Sequence, residues 1–153
     1  MSEHEPYMRR AIELARKVPE LPFGSVIVRD HEVIAEGWNR SVENPIWHGE
    51  IDAINQCAHT HRGIDWAELT LYTTAEPCPM CQAAILWAGI PRVVFGTSVR
   101  YLQSRGWWQI DILAEEIIRR TPFRTCNLIG GILEAECNAL VEKPPKGYST
   151  ESS

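Results

Sequence analysis

Met8, Ala11, Ile12 and Ala15 recur at helical spacing among charged neighbours, which predicts an opening helix over residues 5–18, stopped by Pro19 and Pro22. Residues 23–28 and 32–38 are rich in β-branched and aromatic side chains. With Asp30 and His31 between them, they read as a hairpin. Residues 39–47 are polar, contain Pro45 and predict a loop, and from His48 onward Ile51, Ile54 and Ala58 mark a second helix. A short buried strand follows over 69–73. A third helix begins near Cys78, with Pro79 in the first turn, where a missing N–H costs nothing, and Gly89 at its end. The remaining pattern gives a strand over 92–96, an amphipathic helix over 108–120, a strand over 126–129 and a helix over 132–141. Strands alternating with helices imply an α/β fold, a central sheet of about five strands covered by helices on both faces.

A chain of 153 residues forms one domain with a core large enough to dispense with disulfides. That domain is expected over 1–143, and the Gly/Ser/Thr-containing tail 144–153, which opens with Pro144-Pro145, is expected to be disordered. No apolar run approaches a membrane span and no signal sequence is evident, so no membrane association is expected. The cysteine count is odd. Cys57, Cys126 and Cys137 lie in apolar contexts and read as reduced core residues, which points to the cytoplasm. The net charge of −5 weighs against a large polyanionic partner, because proteins that grip nucleic acid neutralise several phosphates with Lys and Arg. Pairs such as Arg9-Arg10 and Arg119-Arg120 are too short to form a basic stripe, and the latter sits where cations complement a helix C-terminus.

Two short motifs carry the chemistry: His48-Gly49-Glu50 and Pro77-Cys78-Pro79-Met80-Cys81. A C-x-x-C pair alone could be a redox dithiol or half of a zinc knuckle. The redox reading leaves His48 and Glu50 unexplained. A knuckle needs a second pair at similar spacing, and Cys126 and Cys137 are too far apart to supply one. Taken together, the motifs offer His48, Cys78 and Cys81 as zinc ligands, with the carboxylate of Glu50 beside them. Structural zinc sites are closed by four protein ligands, whereas catalytic ones keep a position for water.

The spacing H-x-E followed by P-C-x-x-C is similar to that of zinc deaminases acting on nucleobases. The chain from about residue 22 to 141 resembles the cytidine and deoxycytidylate deaminase superfamily, in the branch of guanine deaminase, fungal cytosine deaminase and tRNA adenosine deaminase. Residues 22–28, Pro-Phe-Gly-Ser-Val-Ile-Val, resemble bacterial guanine deaminases, and Gly37-Trp38-Asn39 resembles the tRNA deaminases. Leu71-Tyr72-Thr73-Thr74 and Gly89-Ile90-Pro91-Arg92 resemble fungal cytosine deaminase, which also shares the Gly at position 49. Residues 105–111 match none of the three. The resemblance implies a three-layer α/β/α cytidine-deaminase-like fold, one Zn2+ per chain and a homodimer, for which the helix bearing Ala83, Ala84 and Leu86 offers a small apolar surface.

The resemblance further implies that Glu50 is the catalytic acid–base, that Asn39 binds the base, and that backbone groups at Ala75 and Glu76 orient the ring. Trp47, Trp107 and Trp108 are candidates to stack on it, and Asp111 to accept from a second amino group. Trp87 reads as core, Trp66 as loop or core, and His59 and His61 as solvated. The expected activity is zinc-dependent hydrolytic deamination of a free base, nucleoside or small aminated heterocycle, a purine such as guanine first. Cytosine is the alternative. A tRNA adenosine deaminase is disfavoured by charge and by the absence of a basic terminal helix, and a non-catalytic zinc subunit by the retention of Glu50.

Overall fold

The computed structural model describes residues 2–148. Helix α1 (Glu5–Ala15) leads into β1 (Gly24–Arg29) and β2 (Glu32–Trp38), and α2 (Gly49–Thr60) into β3 (Thr70–Ala75). Then come α3 (Pro79–Ala88), β4 (Arg92–Thr97), α4 (Val99–Ser104), α5 (Ala114–Arg119), β5 (Asn127–Ile129) and α6 (Glu134–Leu140). The five strands form one sheet in the order β2-β1-β3-β4-β5. β1 runs antiparallel to β2 and β3, and β3, β4 and β5 are parallel.

The sheet is buried on both faces, as the apolar runs of its strands require. Val26, Val28, Tyr72 and Val94 point to one face and pack on Met8, Ile12 and Cys137. Their neighbours Ile27, Leu71 and Val93 point to the other and pack on Ala53, Cys57 and Ile85. The two-residue alternation of a strand thus builds two cores, under α1 and α6 on one side and under α2 and α3 on the other. This is the three-layer α/β/α arrangement.

Two local features fix where the site forms. Asp30 and His31 both have positive φ (50° and 66°), the geometry of a tight two-residue hairpin turn matched to strand twist. Where β2 passes the start of α2, a Cβ at Gly37 would lie 2.4 Å from the Ala53 N and 2.5 Å from the Gly49 O, so only glycine lets the strand press against that helix terminus.

The pattern misled at the C-terminal side. The helix expected over 108–120 is present only as α5. Before it, the backbone N–H of Trp108 goes to the Tyr148 hydroxyl, and that of Ala114 goes to the Glu76 carboxylate, where the helix begins. The Ala114 N–H thus goes to Glu76 rather than to the Ile110 carbonyl a continuous helix would use, and Ile110 and Ile112 are left exposed. Helix α4 was not anticipated, although Ser98 caps it by accepting from the Tyr101 N–H at 3.0 Å.

Trp87, expected in the core, is 72% exposed and stacks on Phe123 with ring centroids 4.7 Å apart. Leu86 takes the buried side of α3 instead. Of the tail expected to be disordered, residues 144–148 fold back so that Tyr148 packs on Trp107 and Trp108, and 149–153 lie outside the described residues. Among the described residues, no helix is long and apolar enough to cross a membrane.

Candidate active site

His48 is the N-cap of α2 and Cys78 the N-cap of α3, so both metal motifs sit at helix starts that converge beside β3. Cys81 lies one turn into α3 and is fully buried. The His48 Nδ1 is 3.6 Å from the Cys78 Sγ and 3.6 Å from the Cys81 Sγ, and the three donor atoms lie within 4.8 Å of one another. Tetrahedral bonds of ordinary Zn–S and Zn–N length place N and S about 3.6 Å apart, so the donor set fits zinc without rearrangement.

The electrostatics agree. Cys78 is pushed down to about 4 by hydrogen bonding from the Cys81 thiol and from His48, against the opposing effect of burial. Cys81 is raised well above the ordinary thiol range by its bond to Cys78 and by burial, and the Cys78 partner raises His48. Two thiols and an imidazole this close compete for protons, and a bound cation would hold both sulfurs as thiolates.

Glu50, two residues along from His48, ligates nothing in this cluster and is 6% exposed. Burial raises its carboxyl to about 7, helped by the nearby Cys78, while His48 and hydrogen bonding to its own backbone and Thr73 pull it down. Thr73 in turn accepts from the Ser25 hydroxyl at 3.0 Å. A carboxyl poised near neutrality can both take and return a proton.

A cavity of about 210 Å³ opens over these groups, with His48, Glu50, Thr73 and Cys78 along its floor. Trp107, Trp108, Gln109 and Tyr148 line it from the C-terminal side. Of the anticipated pocket residues, Asn39, Ala75, Glu76, Trp107 and Trp108 line this space. Asn39 Oδ1 accepts from both the N–H and the hydroxyl of Ser41 (2.9 and 2.7 Å), which leaves its amide N–H groups to donate. Glu76 is present but occupied: its two oxygens accept from the backbone of Val99 (3.0 Å) and Ala114 (2.9 Å). It tethers α4 and α5 rather than offering a free carboxylate.

Two candidates are displaced. Trp47 does not line the cavity, because its indole turns toward α2 and donates to Asp52 Oδ1 at 3.0 Å. Asp111 is solvent-exposed and lies away from the cavity, because its carboxylate is paired with Arg100 at 2.6 Å and Gln103 at 3.0 Å. The pattern also missed Phe23, Ser41 and Tyr148, whereas Gln109 falls in the segment 107–111 expected to set selectivity. Only Tyr148 carried a signal, as a lone aromatic in an otherwise polar tail.

Residues 1–97 match the sequence model of the cytidine and deoxycytidylate deaminase zinc-binding region. The chain belongs to this family. A tRNA-specific adenosine deaminase of Streptococcus pyogenes serotype M18 is 42% identical over 149 residues, covering 93% of this chain and 89% of that protein. The guanine deaminase of Bacillus subtilis strain 168 is 40% identical over 128 residues, covering 80% of this chain and 81% of that one. A solved tRNA:A34 deaminase, studied for A-to-I editing at the wobble position of transfer RNA, matches with a TM-score of 0.76 at 28% identity, over 89% of this chain and 99% of that chain. Of the two activities, tRNA-specific adenosine deamination is the more frequent among the curated relatives. The protein is thus a zinc-dependent hydrolytic deaminase, with His48, Cys78 and Cys81 placed to hold one metal ion.

Proposed function

We propose that this deaminase acts on a free base or small aminated heterocycle, with a purine such as guanine as the leading substrate and cytosine as the alternative. The observation that carries the reading is the size and lining of the cavity: Trp107, Trp108 and Tyr148 line a space of about 210 Å³ together with Glu50. Pockets for drug-sized ligands run to roughly 300–1,000 Å³, so this one suits a single flat ring system. In this reading Asn39 donates to an acceptor on the ring, the aromatic wall stacks on its face, and Gln109 accepts from the second amino group of a purine.

His48, Cys78 and Cys81 would hold the zinc, which would supply a Lewis acid able to make water a nucleophile near neutral pH. Glu50 takes one proton from the attacking water and delivers it to the ring nitrogen as the C–O bond forms, then takes the second proton from the added hydroxyl and delivers it to the amine. The C–N bond then breaks, ammonia leaves, and Glu50 ends ionised as it began. The exposed Trp87–Phe123 pair on and beside α3 supports a homodimer, since contiguous exposed aromatic surface favours a partner. The free cysteines support a cytoplasmic enzyme.

A second reading, tRNA adenosine deamination, is supported by the frequency of that activity among the relatives. It requires a flipped base to enter past Tyr148 and a net charge of −5 to tolerate phosphates. Ammonia release should be measured on guanine, cytosine, adenine, their nucleosides, aminated triazines and a tRNA anticodon stem-loop. Guanine is expected to give the highest kcat/KM. Faster turnover of the stem-loop than of any free base overturns the proposal in favour of the second reading.

A further inference from the structure

Asp52 is a buried carboxylate that the reaction as described does not use. It sits on α2 one turn after His48, and its side chain is 9% exposed. Its Oδ2 accepts from the Trp38 backbone N–H at 3.1 Å and its Oδ1 from the Trp47 indole N–H at 3.0 Å. The Arg40 Nε lies 3.1 Å from Oδ2 as an ion pair. The guanidinium is held from two sides by aromatic faces, its carbon 4.5 Å from the Trp38 ring and 5.5 Å from the Trp47 ring. One carboxylate therefore holds three residues of a single segment, at both of its ends.

That segment matters because of what lies within it. Asn39, which lines the cavity, stands between the two anchored residues Trp38 and Arg40, and Trp47 immediately precedes the ligand His48. The loop closes on itself through the Arg40 N–H to the Trp47 carbonyl (2.8 Å) and the Trp47 N–H to the Asn44 carbonyl (2.8 Å). Asp52 ties this closed loop to the helix that carries Glu50. A charged, nearly buried acceptor with two hydrogen-bond donors and an ion-pair partner has few alternative arrangements, and losing it leaves the Arg40 charge, whose Nε makes no hydrogen bond, with only Glu43 at 3.7 Å to balance it.

We propose that Asp52 is a positioning residue: it holds loop 39–47 in register with α2, so that Asn39 meets the ring while Glu50 and His48 stand beneath it. The inference rests on the reading of Asn39 as a substrate contact. Its structural part, the clamp, can be tested without substrate.

The experiment compares wild type, Asp52→Asn, Asn39→Ala and the double variant as zinc-loaded full-length protein, using the base turned over best in the ammonia assay. Hydrogen–deuterium exchange is the first readout: Asp52→Asn should speed exchange of the Arg40 and Trp47 amides about tenfold or more, with β3 and β4 unchanged. The second is KM: each single substitution should raise it about tenfold, and the double variant should match the singles rather than multiply them, because residues acting through one another are non-additive. Zinc should stay at one per chain. Unchanged exchange in 39–47, or KM effects that multiply, overturns the proposal. If Asn39→Ala leaves KM unaltered while exchange still rises in Asp52→Asn, the clamp stands and the substrate role of Asn39 fails. Should Asp52→Asn not fold, Trp47→Phe removes one of the clamp's donors while keeping a ring over Arg40, and the same exchange readout applies.

Discussion

The Tyr148 hydroxyl accepts the backbone N–H of Trp108 over 2.7 Å, which joins the end of the chain to the loop that walls the active-site cavity. The tyrosine ring lies 4.9 Å from that of Trp108 and 5.5 Å from that of Trp107, and the Trp107 indole is itself fixed by donating to the Val141 carbonyl at 3.0 Å. Residues more than thirty positions apart thus form one wall.

Removing that wall should cost binding more than chemistry. Tyr148→Ala opens the cavity without touching Glu50 or the metal ligands, so KM for the preferred base should rise about tenfold, the scale of one lost aromatic contact and hydrogen bond. Discrimination against the corresponding nucleoside should narrow. Steady-state kinetics on the base and nucleoside pair check this, and an unchanged ratio with unchanged KM contradicts it.

Glu50→Gln keeps the volume of the side chain but cannot accept a proton. Turnover should fall by at least the roughly 10²- to 10⁴-fold typical of a lost general acid–base. Zinc content and melting temperature should stay near wild type, since Glu50 ligates nothing in the cluster. Metal analysis and differential scanning calorimetry of the purified variant separate this outcome from loss of the site.

Purified protein should hold one zinc per chain. Chelation should abolish activity, and zinc should restore it. His48→Ala or Cys78→Ser should lower both occupancy and thermal stability, because metal binding energy is also folding energy. A stoichiometry below one in the wild type, with full activity, would refute the assignment.

Trp87→Glu places a charge on the exposed aromatic pair formed with Phe123. Light scattering at micromolar concentration should show a dimer for wild type and a shift toward monomer for the variant, with the helical signal in circular dichroism unchanged. A wild-type monomer would remove the dimer proposal.

Alkaline pH should unfold the protein partly through groups under α1 and α6. Burial pushes Cys137 from the ordinary thiol value of 9.0 up to about 12, and Tyr72 from 10.0 to about 12. Both are charged when deprotonated, so the unfolded chain gives up these protons first as pH rises. Their contribution to stability is complete below about pH 9 and is lost progressively toward pH 12. Denaturant titrations from pH 8 to 11 should show a steepening fall in unfolding free energy above pH 9. That fall should be shallower in Cys137→Ala, even though the variant is less stable at pH 8 because it leaves a void in a packed core.

Much of this protein is set by local signals. Helical periodicity defined α1 and α2. The Asp30-His31 pair marked the hairpin, and Pro79 and Gly89 bounded α3, with Gly89 adopting φ 95° at its cap. The metal cluster was legible for a similar reason: ligand identity and spacing are properties of short segments, and the donors sit at helix starts that those segments themselves encode. The substrate wall was not legible. Where the helix begins depends on where Ala114 sends its N–H, and that acceptor, Glu76, lies more than thirty residues away, as does Tyr148, which takes the N–H of Trp108. The aim of Trp47 was set by Asp52, and that of Asp111 by its pairing with Arg100 and Gln103. A one-dimensional pattern records what each residue prefers locally. Tertiary structure alone decides which distant partner satisfies a buried polar group, because the cost of leaving one unsatisfied exceeds the preference of a single turn.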